Sequence, residues 1–489
     1  MRRRSQSGSA AVLLRHGAVD RAEFDQRIDD ACRGSGRNCQ CLDDVGHRAS
    51  RTVVHDVQGA PAVHGEVGTG ERAVDLGSDD GGAPKQREYL DEVVHDLPSR
   101  SNDAPVEVIP GVHSMPDAAA RAERSRAQRT EFRVALALPR RGPAGIFGLE
   151  CHAAAELAAA EIDASGGVAG RSVQFVHVDA GGDPAAVAGS IRDLMEAGSI
   201  DAVTGWHLSN ARQAIAKVVG GRIPYVYAAA YEGGERSDGV LCSGEVPGDQ
   251  IIASLRWLRT ELRLRRWFIV GNDYVWPRGS AAATRAGLEG SDISILGERF
   301  VPLGVQDPHA WEQVLADIAA TEPDGVVTLL VGSDAVRFNR AFAGAGLDAT
   351  VARFSPFTDE TVVLASGSGA TRNLFVSAGW FAGLASASAA EFTAGFTRAF
   401  DLVNGTGPID ESAAPQPGTM AETTYSGVHL LAGIAGASVP TVEDARRAFD
   451  GWGWDSPHGP VDLRQGAARH PVHLAVARGV ELDVIARVH

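Results

Sequence analysis

From Phe132 onward the chain repeats one pattern: a short apolar run of strand length, a turn, then a stretch of helix-forming residues. FRVALALP (132–139) is apolar and ends in proline, and the Gly/Pro loop RRGPAG follows it. GLECHAAAELAAAEIDAS is rich in Ala, Leu and Glu, with Leu149, Ala153 and Leu157 on one predicted helical face. Gly166 and Gly167 stand where a left-handed helix cap is expected, and RSVQFVHVD then reads as a strand. The alternation continues with a helix around 184–197, strand DAVTGW, a helix from Ser209 to Val219 and strand IPYVYAA. After about residue 248 it restarts: a helix near 249–262, RWFIVGND, a helix from Arg278, SILGERFV, a helix at 307–320, and GVVTLLV. Buried strands alternating with helices imply parallel sheets covered on both faces. Two such runs predict an α/β protein of two Rossmann-like lobes joined by a hinge. The expected division is 131–247 with 381–436 for lobe 1, and 248–380 with 437–475 for lobe 2.

Residues 1–130 read differently. They hold only Phe24 and Tyr89 of the 30 Phe, Trp and Tyr in the chain, and show no strand or helix period. A segment so poor in large apolar side chains has little to offset its ordering entropy, so it is expected to be disordered. It also fits translation from an upstream start codon, with Met115 as an in-frame alternative. The net charge of -16 argues against direct nucleic-acid binding, which needs clustered cations. No run approaches the roughly 18 apolar residues of a membrane span, so no membrane insertion is expected. Neither Met1 nor Met115 is followed by a secretory leader pattern, and from this a cytoplasmic location is expected. Cys32, Cys39 and Cys41 match no zinc spacing, and Cys151 and Cys242 are expected to be buried thiols, so neither a disulfide framework nor a metal or cofactor is predicted.

In open parallel sheets ligands bind beyond the carboxyl ends of the strands, which makes the strand ends the places to search. GWHLSNARQA (205–214) places Ser209 at a helix start, either as a plain N-cap or as a hydroxyl beside helix-start N–H groups facing a crevice. YVYAAAYEGGE (225–235) puts Tyr227 and Tyr231 past the next strand, as half-buried core or as ligand contacts. GNDYVWPR (271–278) puts Tyr274 and Trp276 past a third, with Asp273 beside them as a possible counter-charge.

Together these motifs resemble the type I periplasmic-binding-protein family, and within it the amide/urea-binding branch. AAELAAAEIDASGGVAGRSVQFVHVDAGGDP is similar to the family's first helix, Gly-Gly turn and second strand. YEGGE, GNDYVWPR, FVPLGVQD and SPHGPVDL (456–463) are similar to marks of the branch, which includes amidase-operon negative regulators and urea transporter substrate-binding proteins. The resemblance implies a ligand held between the lobes by Ser209, His207, Tyr227, Ala229, Tyr274 and Trp276, with Val331 and Phe357 from the second lobe. The chain departs from the pattern at His207 and at Ala228–Ala230. A wall of Tyr, Trp, Ser and His suits a small neutral amide or urea better than a zwitterion.

No GxSxG, GxxxxGK[ST], HExxH or CxxC motif is present, and His458 and His470 read as isolated surface or turn histidines. The chain is therefore expected to be a non-enzyme. Two roles fit the resemblance: a cytoplasmic amide sensor acting on an antiterminator-type regulatory protein, or the substrate-binding component of an ABC transporter for urea, short amides or branched-chain amino acids, with a permease as partner.

Overall fold

A computed structural model of the chain describes residues 129–404, 415–437, 450–451 and 453–489. The expectation of disorder for 1–130 falls almost wholly outside these residues.

Two α/β lobes are built on the same plan. In lobe 1, β1 (Glu131–Leu138), β2 (Ser172–Asp179), β3 (Ala202–Gly205), β4 (Tyr225–Tyr227) and β5 (Val240–Cys242) run parallel in the order β2-β1-β3-β4-β5. In lobe 2, β6 (Arg266–Asn272), β7 (Ser294–Val301), β8 (Gly325–Leu329), β9 (Ala352–Ser355) and β10 (Leu374–Ala378) repeat it as β7-β6-β8-β9-β10. The order reverses between β1 and β3 in one lobe and between β6 and β8 in the other. At such a reversal neighbouring loops leave in opposite directions and open a crevice.

The connecting helices are α1 (Gly148–Ala164), α2 (Pro184–Glu196), α3 (Ser209–Val219), α4 (Ala253–Leu262), α5 (Val275–Leu288), α6 (Pro308–Thr321), α7 (Ser333–Gly344) and α8 (Glu360–Ser366). Local chemistry fixes several starts. Asp183 accepts from Ala185 N and Ala186 N ahead of Pro184, and Asp307 accepts from His309 N ahead of Pro308, a capping acid followed by proline at the first helical position. The chain then returns to lobe 1 as α9 (Ala387–Asn404) and α10 (Thr419–Gly436), both packed on α1.

The last segment divides differently from the expected boundaries. β11 (Gly453–Ser456), β12 (Gly459–Arg464) and β13 (Ala467–Arg469) extend the lobe 1 sheet, β13 pairing with β5 through Ala467 and Cys242. Only β14 (His473–Arg478) and β15 (Glu481–Arg487) join lobe 2, antiparallel on β10. The reason is the turn at Pro457-His458, which folds 453–464 into a hairpin that continues the open β5 edge.

The chain thus passes between lobes after β5, after β10 and after β13, and the three connections lie together. Glu245 accepts from Gly379 N at 2.6 Å, and the His470 ring lies against Gly379. His470 and His458 are not isolated surface groups: both are buried, with ring centroids 4.3 Å apart, and His458 Nδ1 sits 2.7 Å from Glu422 Oε2. Burial, then the neighbouring His458, holds His470 below its ordinary pKa. The sequence hides this because Glu422 and Gly379 lie far along the chain from the two histidines and meet them only at the crossings.

Candidate functional site

The two reversal points face each other, and aromatic side chains fill the space between them. On lobe 1 the turn after β1 supplies Phe147 and the end of β3 supplies Trp206. Gly205 makes that end possible: its φ is +133°, and an added Cβ would fall on the Ala137 carbonyl. On lobe 2, Trp276 lies in the first turn of α5 and Phe357 follows β9. Trp206 meets Phe147 at 5.0 Å and reaches across to Phe357 at 5.4 Å, and Phe357 meets Trp276 at 4.5 Å. Tyr274, the half-buried N-cap of α5, is 6.5 Å from Trp276. The indole N–H of Trp206 is buried and has no acceptor among the described residues.

Trp206 went unnoticed in the sequence, where its neighbour His207 drew attention. The imidazole of His207 is occupied inside lobe 1. Nδ1 donates to the Ala137 carbonyl at 3.0 Å, which leaves Nε2 to accept from Tyr225 Oη at 2.7 Å. Burial lowers its pKa to about 4, so the ring is neutral at physiological pH. The two residues follow the end of β3 and point different ways: Trp206 reaches Phe357 of the other lobe, and His207 turns into the packing of lobe 1.

Ser209 is the first residue of α3, and Leu208 is the N-cap, so the plain N-cap reading does not hold for the hydroxyl. Its Oγ accepts from Arg212 at 3.2 Å and lies 3.5 Å from Tyr227 Oη, whose own proton goes to the His207 carbonyl at 2.7 Å. The first-turn N–H groups of α3 have no intrahelical acceptor, as in any helix. Arg212 underlies this corner. Its guanidinium is 2.6 Å from Glu232 and 2.9 Å from Glu235, and it lies 5.0 and 5.2 Å from the Tyr227 and Tyr231 ring centres. Tyr227 and Tyr231 are therefore buried walls of an ion-pair site, and burial raises both phenol pKa values. Ala229 is buried against Gly244 at the first crossing.

On lobe 2, Asn272 at the end of β6 ties three loops together. Its Oδ1 accepts from Val331 N at 2.9 Å and its Nδ2 donates to Asp334 at 2.7 Å, while Asp334 also accepts from Gly304 N at 2.7 Å. Val331 is buried and contributes through this backbone bond. Asp273 is exposed and paired with Arg278 at 2.9 Å, turned away from the aromatic group.

The lobes touch at the rim. Gly332, at φ +48°, approaches the Pro143 carbonyl too closely for any side chain, and Gly279 of α5 lies where an added Cβ would stand 2.7 Å from Glu232 Cβ. A large residue at 279 should therefore oppose closure without disturbing either lobe. Gly279→Leu is expected to weaken ligand binding about tenfold or more, consistent with the cost of overpacking, while the unliganded melting temperature holds or rises with the gain in helix propensity. Calorimetry beside thermal unfolding checks both.

A sequence profile of the periplasmic binding protein family matches residues 131–480, most of the chain. The chain belongs to that family. Solved structures of similar fold include a solute-binding protein of an ABC transporter from Rhodopseudomonas palustris in complex with 3,4-dihydroxybenzoic acid. It is 21% identical with a TM-score of 0.61, over 73% of this chain and 97% of that one. The branched-chain amino acid transporter substrate-binding protein of Streptococcus pneumoniae, in complex with isoleucine, is 17% identical with a TM-score of 0.60, over 73% and 99%. A periplasmic binding protein from Burkholderia mallei gives 16% identity and a TM-score of 0.63, over 73% and 94%. These are binding proteins, not enzymes. The two-lobed fold is the one the sequence alternation predicts. No helix among the described residues is long and apolar enough to cross a membrane.

Proposed function

We propose that this chain is the solute-binding component of an ABC-type transporter, and that it closes on a small planar solute bearing a carbonyl-type acceptor, with short amides and urea as the solute class. The observation that carries this reading is the buried indole N–H of Trp206, which has no acceptor among the described residues and lies in an aromatic group formed by both lobes. A buried donor without a partner costs on the order of 1–3 kcal/mol, which a ligand oxygen would recover. Flat rings of Trp206, Phe357 and Trp276 favour a planar ligand, and the α3 amino terminus at Ser209 and the Tyr274 hydroxyl supply polar contacts at its edges. Asp273, the possible counter-charge beside Tyr274, is paired with Arg278 and so is not available to an ammonium group.

The Rhodopseudomonas and Streptococcus proteins named above are transport components, so this reading sets a permease, rather than an antiterminator-type regulator, opposite the closed lobes. It also places the protein outside the cytoplasm, against the expectation drawn from the amino terminus. A second reading, an aromatic carboxylate as solute, draws on the aromatic walls themselves and on the dihydroxybenzoate held by the Rhodopseudomonas protein.

Trp206→Phe separates stacking from hydrogen bonding, because it keeps a ring and removes the N–H. Acetamide or butyramide affinity should fall by about 1–2 kcal/mol, roughly tenfold. An affinity equal to wild type by calorimetry would remove the indole N–H from the site.

A further inference from the structure

On the side of lobe 1 formed by α1 and the edge strand β2, a second cluster stands apart from the aromatic crevice. His152 and Glu156 lie one turn apart on α1, with His152 Nε2 3.3 Å from Glu156 Oε1. His177 on β2 meets His152 edge to face, with ring centroids 4.6 Å apart at 82°. One donor atom from each of the three residues lies within 4.8 Å of the others, and all three retain access to solvent. We propose that His152, Glu156 and His177 form a binding site for a divalent transition-metal ion of the zinc class.

The chemistry of the donors selects the ion. Two imidazoles and one carboxylate suit Zn2+, Co2+, Ni2+ or Cu2+, whereas Mg2+ and Ca2+ prefer oxygen ligands throughout. Bonds of about 2.0–2.2 Å to a shared ion bring such donors about 3.4 Å apart, a contraction that side-chain rotation of the exposed His177 can supply. Three protein ligands leave further positions to water, and the ion would tie α1 to the sheet edge.

The test uses the untagged full-length chain in a non-chelating buffer. Zn2+ should raise the melting temperature while Mg2+ does not, and Co2+ should give a visible d–d absorption band that saturates at one ion per chain. Combining His152→Ala with His177→Ala should abolish the band, and Glu156→Gln should weaken Co2+ affinity by more than about tenfold. Far-UV circular dichroism verifies folding, and Glu156→Gln, which keeps the shape of the side chain, gives the answer alone if the double variant does not fold. An unchanged Zn2+ response and Co2+ band in that double variant, or in Glu156→Gln, overturns the proposal, as does the lack of any response in wild type.

Discussion

Arg212→Met is expected to lower stability by about 3 kcal/mol, measured by urea or thermal unfolding, because it leaves two carboxylates at a largely enclosed site with no counter-charge. The Arg212 side chain is 2% exposed, and its partners Glu232 and Glu235 are 12% and 9% exposed. Breaking one member of a buried pair typically costs 3–5 kcal/mol; the lower end applies here because both glutamates reach the rim. The loss extends to Ser209, whose hydroxyl accepts from Arg212, and to the Tyr227 and Tyr231 rings that flank the guanidinium. If charge is the cause, adding Glu232→Gln and Glu235→Gln to Arg212→Met should recover about half of the deficit or more. A triple variant as unstable as the single one would shift the cause to lost packing around the guanidinium.

The second large effect is a pH dependence set by carboxyl groups buried where the lobes meet. Glu150 on α1 of lobe 1 accepts from Thr361 Oγ1 at 3.1 Å and from Gly418 N at 3.2 Å, and it lies beside Asp359, which caps α8 of lobe 2. Glu360 accepts from Ala382 N at 2.8 Å in the crossing that follows β10. Burial raises all three: Glu150 goes well above its usual range with Asp359 adding to the effect, Asp359 rises to about 6 and Glu360 to about 8. Their raised folded values mean that the closed protein holds protons that the unfolded chain releases near pH 4. Their contribution to stability is therefore complete below that pH and is lost as pH rises through about 6 and then about 8. Each retained proton changes stability by about 1.4 kcal/mol per pH unit. Because Glu150 and Asp359 belong to different lobes, opening should release the same protons, and ligand affinity should fall in step between pH 5 and 8. Glu150→Gln and Asp359→Asn preserve the acceptor atoms and should flatten both profiles. A wild-type profile that stays flat over this window would show that these carboxyls are ionised in the closed form.

The architecture was legible in the sequence because it rests on periodicity. Apolar strands alternating with helices, twice over, predict the two lobes, and the 209–219 helix and 294–301 strand fall at the expected residues. Side-chain direction was harder to read. Of the expected apolar face of α1, Ala153 is buried and Leu157 packs partly buried against the core, but Leu149 is 40% exposed, and the buried side also takes in Glu150, Cys151, Ala154 and Ala158. A helix made mostly of alanine has little amphipathic contrast, so the sequence does not tell which side meets α10. The same problem hides Trp206 behind His207, because both lie past the end of β3, where the backbone turn at Gly205 sets their directions. The cross-lobe carboxyls and the histidines near the crossings were not legible, because their partners lie far along the chain. Residues 453–469 were assigned to the wrong lobe for a related reason: which sheet edge a hairpin joins depends on which edge is open, a tertiary property.

Calorimetric titration of the full-length chain with acetamide, butyramide, urea, benzoate and leucine tests the central claim most directly. The account predicts that at least one amide or urea binds at one site per chain, more tightly than leucine. Tight binding of leucine with none of the amides would contradict the solute class, binding of benzoate alone would transfer it to aromatic carboxylates, and no binding by any of the five would remove its basis.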